Sequence, residues 1–446
     1  MSSSSQHILG LFAQDPSAKH IIKSYCKEHY PALMLDADMM EQLLWLQTNS
    51  VITSQSDSLA KPDRLNIEVK RILARLNCLH LLRRELDSAM DQEQRWQQFV
   101  SLQLEDIKLT QESFNSLSEF IGTLSLSEYQ CLVASCFITK SDKAEASVPT
   151  SLKSDLPVDS EQFISYLVAE CPEVLPICRQ MDQPTRELLS FVFYKNCHAR
   201  HMLDMEGGHN MLFALKEGIE SKSINQAKMN LWFARWIINI AGIDGHIKPA
   251  GSSFLTEPIA GCIFALKKEL DQLLTNNDHP VLEHYLAYRA SKLGVSNNYL
   301  AALGALMRKN TPEIGAQIQG WFNSLSNEEQ QDKLNFFEQQ LKLIKITPTY
   351  KPTVLLNLLD MGYSVTRSVE IFSRIEMAAL QAWTKAIDSD VLLGTIPLSF
   401  RLIAYRENLP RIIDLIEGDA LHFDIKADGC LVVAPVPTLT LQPGYT

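Results

Sequence analysis

Thirteen residues, Cys197 to His209, gather three histidines, two carboxylates and a thiol. His198, His201 and Glu206 are metal-ligand types, and Asp244 further along the chain offers another carboxylate. Imidazole nitrogen and carboxylate oxygen suit a divalent cation. His209, with His246, has the side chain for moving a proton near neutral pH. The same residues on an apolar helix stripe also suit a hydrogen-bonded structural seam.

Helix geometry limits the metal reading. His198, His201, Met202, Met205 and His209 share one face of a helix that starts at Pro184, with Asp182 near its cap. Eleven helical residues span about 16 Å, so one ion with bonds of about 2 Å cannot take both His198 and His209. Either His198 and His201 act as a pair, or the helix breaks at Gly207-Gly208, where glycine permits left-handed backbone. A zincin needs H-E-x-x-H; Ala199 follows His198 and the second histidine comes one position early, so that chemistry is excluded. The His-Asp dipeptide of the histidine–aspartate phosphohydrolases is missing, since Asp278-His279 runs in the opposite order. Cys197 and His201 lie four apart, a spacing open to a thiol nucleophile or to a buried, inert cysteine.

A second chemical group lies in Asn230–Ile243, apolar on all sides except at Arg235 and Asn239. Such a helix is buried, and a buried guanidinium needs a partner. The partner is an internal carboxylate (Asp204, Glu206, Asp244 or Glu257) or an anionic small molecule held by Arg235 and Asn239. The next loop, Gly242 to Ser253, is glycine-rich and carries Asp244 and His246; its Gly251-Ser252-Ser253 is a weak anion-cradle signal. The nucleotide-loop and serine-elbow motifs are missing from the chain. If the loops after 206 and 242 converge, all eight polar residues line one cleft.

The elements that must position these residues read as helices almost throughout. Leu65, Val69, Ile72, Leu76, Leu79, Leu82 and Leu86 recur at three- and four-residue steps. Further helices are expected near Glu93–Leu104, Gln111–Thr123 and Glu128–Phe137. Others follow at 161–170, 184–205, 210–220, 226–242 and 258–275, across Leu282–Ile344, and on to about Leu415. Only the C-terminus alternates as strands do: Leu421–Ile425 and Cys430–Val436 flank Ala427-Asp428-Gly429, with Pro435 marking an edge. The expected fold is predominantly all-α, a multi-lobed helical bundle with a small C-terminal β-hairpin. The polar stretch Lys140–Ser160 is the best boundary. The expected division is an N-terminal helical domain (1–140), a linker (141–160), a central His-rich domain (161–280), a helical region (281–415) and the hairpin with its tail (416–446).

Composition narrows the function classes. The 446-residue chain carries a net charge of −11, which disfavours nucleic acid as a partner. The basic run Lys70, Arg71, Arg75, Arg83 and Arg84 is interleaved with Glu68, Glu85 and Asp87, and reads as a solvated face. Nine scattered cysteines without a C-x-x-C spacing fit a reducing, intracellular or cytoplasmic setting. The N-terminus shows no secretory signal, although transport without a cleaved signal would look the same. Leu231–Ile243 is too short for a membrane span and carries Arg235.

Two functional readings follow. One is a soluble helical protein that binds a protein partner or an anionic small molecule, with the His/carboxylate/Arg cluster in its central domain. The other is a hydrolase, metal-dependent or acid–base, acting on a phosphoester-type substrate with a divalent metal as cofactor.

Overall fold

The computed structural model describes residues 16–53, 65–83, 90–139, 160–194, 197–342, 348–388, 398–426 and 429–434. The Ser-rich N-terminal tail, residues 54–64, almost all of the expected linker, Arg84 to Asp87, the Ala427-Asp428 turn and Pro435 lie outside them. The fold is predominantly α-helical, as the periodicity predicts, with nineteen α-helices and two small strand pairs among the described residues. The chain forms two compact units. The first comprises Met1–Cys197 with Gly218–Lys267, and the second His198–Glu217 with Lys268–Thr446.

The first unit begins with helices α1 (Pro16–His29), α2 (Ala37–Thr53), α3 (Ile67–Leu82) and α4 (Gln92–Val100). It continues through α5 (Gln111–Gly122), α6 (Leu126–Ile138), α7 (Ser160–Glu170) and α8 (Gln183–Phe191). Asn66 caps α3 by accepting the Glu68 N–H at 2.7 Å, and Asp182 caps α8 through the Thr185 N–H at 2.9 Å. The expected helix over 184–205 is therefore interrupted. Val192 and Phe193 turn back on Leu189 and Ser190, and helix resumes only as α9 (Ala199–Leu203), which belongs to the second unit. There it is followed by α10 (Gly208–Glu220), most of which shares that unit.

Helix α11 (Gln226–Ala241) packs on α3 and α6 in the core of the first unit. Leu231 to Ile238 are buried without a gap, the all-round burial that its composition predicts. Arg75 departs from the solvated face expected for its helix: it is 4% exposed, inside the core. Around it, α3 carries Leu73, Ala74, Leu76 and Asn77, also buried, so the apolar face of this helix is wide enough to take the arginine with it.

The second unit continues from α12 (Glu257–Thr275) into α13 (Val281–Leu293), α14 (Asn298–Leu306), α15 (Pro312–Ser324) and α16 (Asn327–Lys342). Strand β1 (Pro348–Thr349), helices α17 (Lys351–Asp360) and α18 (Val365–Asp388), strand β2 (Leu398–Ser399) and α19 (Leu409–Glu417) come next. Its core joins Leu300, Leu303, Trp321, Phe322, Leu355 and Phe372. Strands β1 and β2 pair in parallel, Pro348 with Leu398, a contact that two-residue strands leave no periodic trace of. The expected C-terminal pair is present as β3 (Phe423–Ile425) and β4 (Leu431–Val433), antiparallel with Asp424 opposite Val432. No single helix among the described residues is long and apolar enough to cross a membrane. Eight of the nine cysteines are buried.

Candidate functional site

The eight residues singled out by side-chain chemistry divide between the units. Arg235, Asn239, Asp244 and His246 belong to the first; His198, His201, Glu206 and His209 belong to the second.

In the first unit, Arg235 is 3% exposed and paired. Its Nη2 donates to Glu161 Oε1 at 2.9 Å and its Nη1 lies 2.8 Å from Oε2, a two-pronged ion pair. Nη1 also donates to the Val192 carbonyl at 3.1 Å, and the guanidinium lies over the Phe193 ring at 4.1 Å. The partner is an internal carboxylate, as one of the two options held, but it is none of Asp204, Glu206, Asp244 and Glu257. Glu161 stands 74 residues away, in the first turn of α7. The Val192 carbonyl that accepts from Arg235 lies just past the end of α8, where the expected helix is interrupted. Asn239, one turn further along α11, is half-buried.

The glycine-rich loop serves close packing. A Cβ on Gly245 would come within 1.9 Å of the Ala74 Cβ, and one on Gly242 within 2.7 Å of the Arg75 backbone nitrogen. Ser252, fully buried, donates to the Ala241 carbonyl at 2.8 Å and receives the Leu255 N–H at 3.1 Å. Asp244 accepts from the Ser253 hydroxyl at 3.2 Å. His246 Nδ1 accepts from Arg71 Nε at 3.2 Å, and Arg71 also donates to Glu68 at 2.9 Å. Burial, with the Arg71 charge beside it, holds the His246 imidazole below its ordinary pKa.

In the second unit, helix α9 ends at Leu203, a few residues before the expected glycine break, and Gly207 adopts a positive φ of 73°. The Leu203 carbonyl accepts from the Tyr285 hydroxyl at 2.8 Å, and Asp204 accepts from Arg308 Nε at 2.9 Å. His198 precedes α9, and its ring stacks on that of His201 with centroids 4.7 Å apart and planes 24° from parallel. Imidazole lone pairs lie in the ring plane, so near-parallel stacked rings do not aim at one ion. His201 Nδ1 lies 3.8 Å from Glu206 Oε2.

Glu206 is 4% exposed and accepts the Lys351 backbone N–H at 3.0 Å. Burial, then the neighbouring Asp204 charge, pushes its carboxyl up to about 7, against the opposing pull of that hydrogen bond and of Arg308 and Arg200. His209, in the first turn of α10, is pushed down to about 4 by burial and then by the Lys351 charge.

These two groups have opposite effects on stability. Between pH 4.5 and 7 the unfolded chain ionises Glu206 while the folded chain keeps it protonated, so its contribution is lost as pH rises. His209 must be neutral in the fold, so its contribution is lost as pH falls from 6.5 towards 4. Glu206→Gln, which keeps an acceptor for Lys351, is therefore expected to gain on the wild type by about 3 kcal/mol between acid and pH above 7. Urea unfolding across pH checks this; a constant difference between the two proteins would contradict it.

His209 also lines a pocket contained in the second unit. The pocket is narrow, with a cavity volume of about 70 Å³, and is partly open to solvent. Its walls are mainly apolar, including Leu303, Leu306, Phe337, Ala379 and Phe400. Its polar members are His209, Gln340, Lys351 and Glu376. Lys351 Nζ and Glu376 Oε1 form a close ion pair, with side chains 6% and 5% exposed. Lys351 begins α17 after Tyr350, whose φ of 68° is left-handed. Sequence patterning identified His209 but not Lys351 or Glu376, which read as ordinary charges on helices.

A further convergence lies at the α12–α13 corner, where Glu269, His279 and His284 meet. The only sequence signal for it is two histidines five apart beyond a helix that carries the carboxylate. Comparison with protein-family models, with curated proteins and with solved structures finds no match to this chain.

Proposed function

We propose that the chain is a helical binding protein whose ligand, a slender and mainly apolar molecule with one polar end, occupies the pocket of the second unit. The supporting observation is the pocket itself: narrow, walled by aliphatic and aromatic side chains, with His209, Gln340 and the Lys351–Glu376 pair as its few polar groups. A mostly apolar cavity with a few placed polar groups is the usual form of a small-molecule site. The lysine and glutamate neutralise one another, which favours a hydrogen-bonding end group over a strongly charged one. Binding is favoured over turnover because an imidazole held near 4 is a weak general base at neutral pH.

The test is thermal stabilisation of the full chain by straight-chain alcohols and carboxylic acids of increasing length. Affinity should rise with length by about 0.8 kcal/mol per buried methylene until the pocket is filled. Ala379→Leu, which places extra volume in the wall, should abolish the response. A response independent of length, or unchanged in Ala379→Leu, would refute the reading.

A further inference from the structure

The corner between α12 and α13 brings together three side chains that the pocket does not use. Glu269 lies on the last half of α12, His279 in the connecting turn and His284 in the first turn of α13. His279 Nε2 is 2.6 Å from Glu269 Oε2, and His284 Nδ1 is 3.0 Å from the same oxygen. The two imidazole rings meet edge to face, 79° apart, with centroids separated by 4.9 Å. Two in-plane nitrogens therefore point at one carboxylate oxygen from different directions, unlike the stacked pair His198 and His201.

The backbone holds this geometry. His279 N–H donates to the Asn276 carbonyl at 2.9 Å, Val281 N–H to the His279 carbonyl at 2.9 Å, and His284 N–H to the Pro280 carbonyl at 3.1 Å. Pro280, at the cap of α13, restricts the turn further. Among the described residues, this is the group of three potential metal ligands whose donor atoms all lie within 4.8 Å of one another.

We propose that Glu269, His279 and His284 form a binding site for a divalent cation of the zinc class, which ties the end of α12 to the start of α13. Tetrahedral coordination with bonds of about 2.0–2.1 Å needs donor atoms about 3.3 Å apart. The His279 and His284 nitrogens need to move about 0.7 and 0.3 Å further from the carboxylate oxygen. Each imidazole nitrogen that now faces the carboxylate exchanges its proton for the ion, with the ring's second nitrogen available to carry a proton in the other tautomer. Two nitrogens and one oxygen select zinc, cobalt or nickel over magnesium and calcium, which take oxygen ligands. Glu269 and His279 side chains are 12% and 14% exposed, whereas that of His284 is 51% exposed. The ion thus has a route in from solvent, and a water molecule completes its coordination.

The experiment uses the full chain, freed of any affinity tag and stripped with a chelator. Zn²⁺ is titrated calorimetrically, and Co²⁺ serves as a spectroscopic probe of tetrahedral geometry. Wild type should bind one tight equivalent of zinc and show the intense visible absorption of four-coordinate cobalt. His284→Ala and Glu269→Gln should each weaken zinc binding by at least about 100-fold, more than the loss of an outer-sphere partner causes. Zinc should raise the unfolding temperature of wild type but not of His284→Ala. His284 is half exposed, so its variant tests binding with little change to the packed core. His246→Ala, in the other unit, should bind zinc as wild type does. Failure of wild type to bind zinc, or retention of binding in both His284→Ala and Glu269→Gln, would overturn the proposal.

Discussion

Arg235→Met is expected to destabilise the first unit by about 3–5 kcal/mol, the range for breaking a buried ion pair by removing one partner. The loss comes mainly from Glu161, which stays buried at 6% exposure without the guanidinium that faces both of its oxygens. The Val192 carbonyl also loses its donor at a point where the helix has already stopped. Methionine retains much of the volume over Phe193 and Trp236, so packing changes are small beside the electrostatic term. Adding Glu161→Leu removes the stranded charge, and the double variant should recover most of the loss. Urea midpoints of the two single variants and the double variant measure the coupling. If Arg235→Met alone is as stable as wild type, the pair is not what holds α7 against the core, and an anion site at Arg235 returns as the better reading.

Lys351→Met tests the pocket in the same way but with a functional consequence. Glu376 would then face an apolar cavity without its ammonium partner, and a loss of about 3–5 kcal/mol is expected from the second unit. The backbone bond from residue 351 to Glu206 does not depend on the side chain and should survive. Lys351→Met with Glu376→Leu replaces the pair by apolar groups of similar volume and should restore most of the stability. That double variant also makes the polar end of the pocket apolar. If the ligand carries a polar end group, the double variant should prefer plain alkanes over the alcohols and acids that suit wild type. Thermal shifts with both ligand sets distinguish the outcomes: recovered stability with unchanged ligand preference would mean that the pair is structural and does not face the ligand.

Much of the architecture is legible along the chain. The three- and four-residue spacing of leucine and isoleucine marks α3, the unbroken apolar run marks α11 as a buried helix, and alternation marks the C-terminal strand pair. The need of Arg235 for a partner follows from the same run, because its helix has no wet side. These are local properties: each depends on which face of one element is apolar, and the repeat of that element is written in consecutive residues.

What tertiary structure alone decided is which faces meet. Glu161 looked like an ordinary acidic residue in a helix first turn until α7 and α11 came together across 74 residues of chain. Arg75 looked like part of a charged face until burial of nearly the whole circumference of α3 enclosed it. The Gly242–Ser253 loop suggested an anion cradle, whereas Gly242 and Gly245 are needed because α3 passes where their side chains would be. The thirteen-residue histidine segment was the most conspicuous chemistry in the chain. Its expected helix is interrupted after Phe191, and α9 ends at Leu203; the Val192 carbonyl accepts from Arg235 and the Leu203 carbonyl from Tyr285. The plainer histidines at 279 and 284 met a carboxylate instead, through a turn whose geometry no spacing rule encodes. Composition and periodicity determine what each helix must bury, but the identity of a buried partner depends on packing between segments far apart in sequence, where the local pattern carries no information.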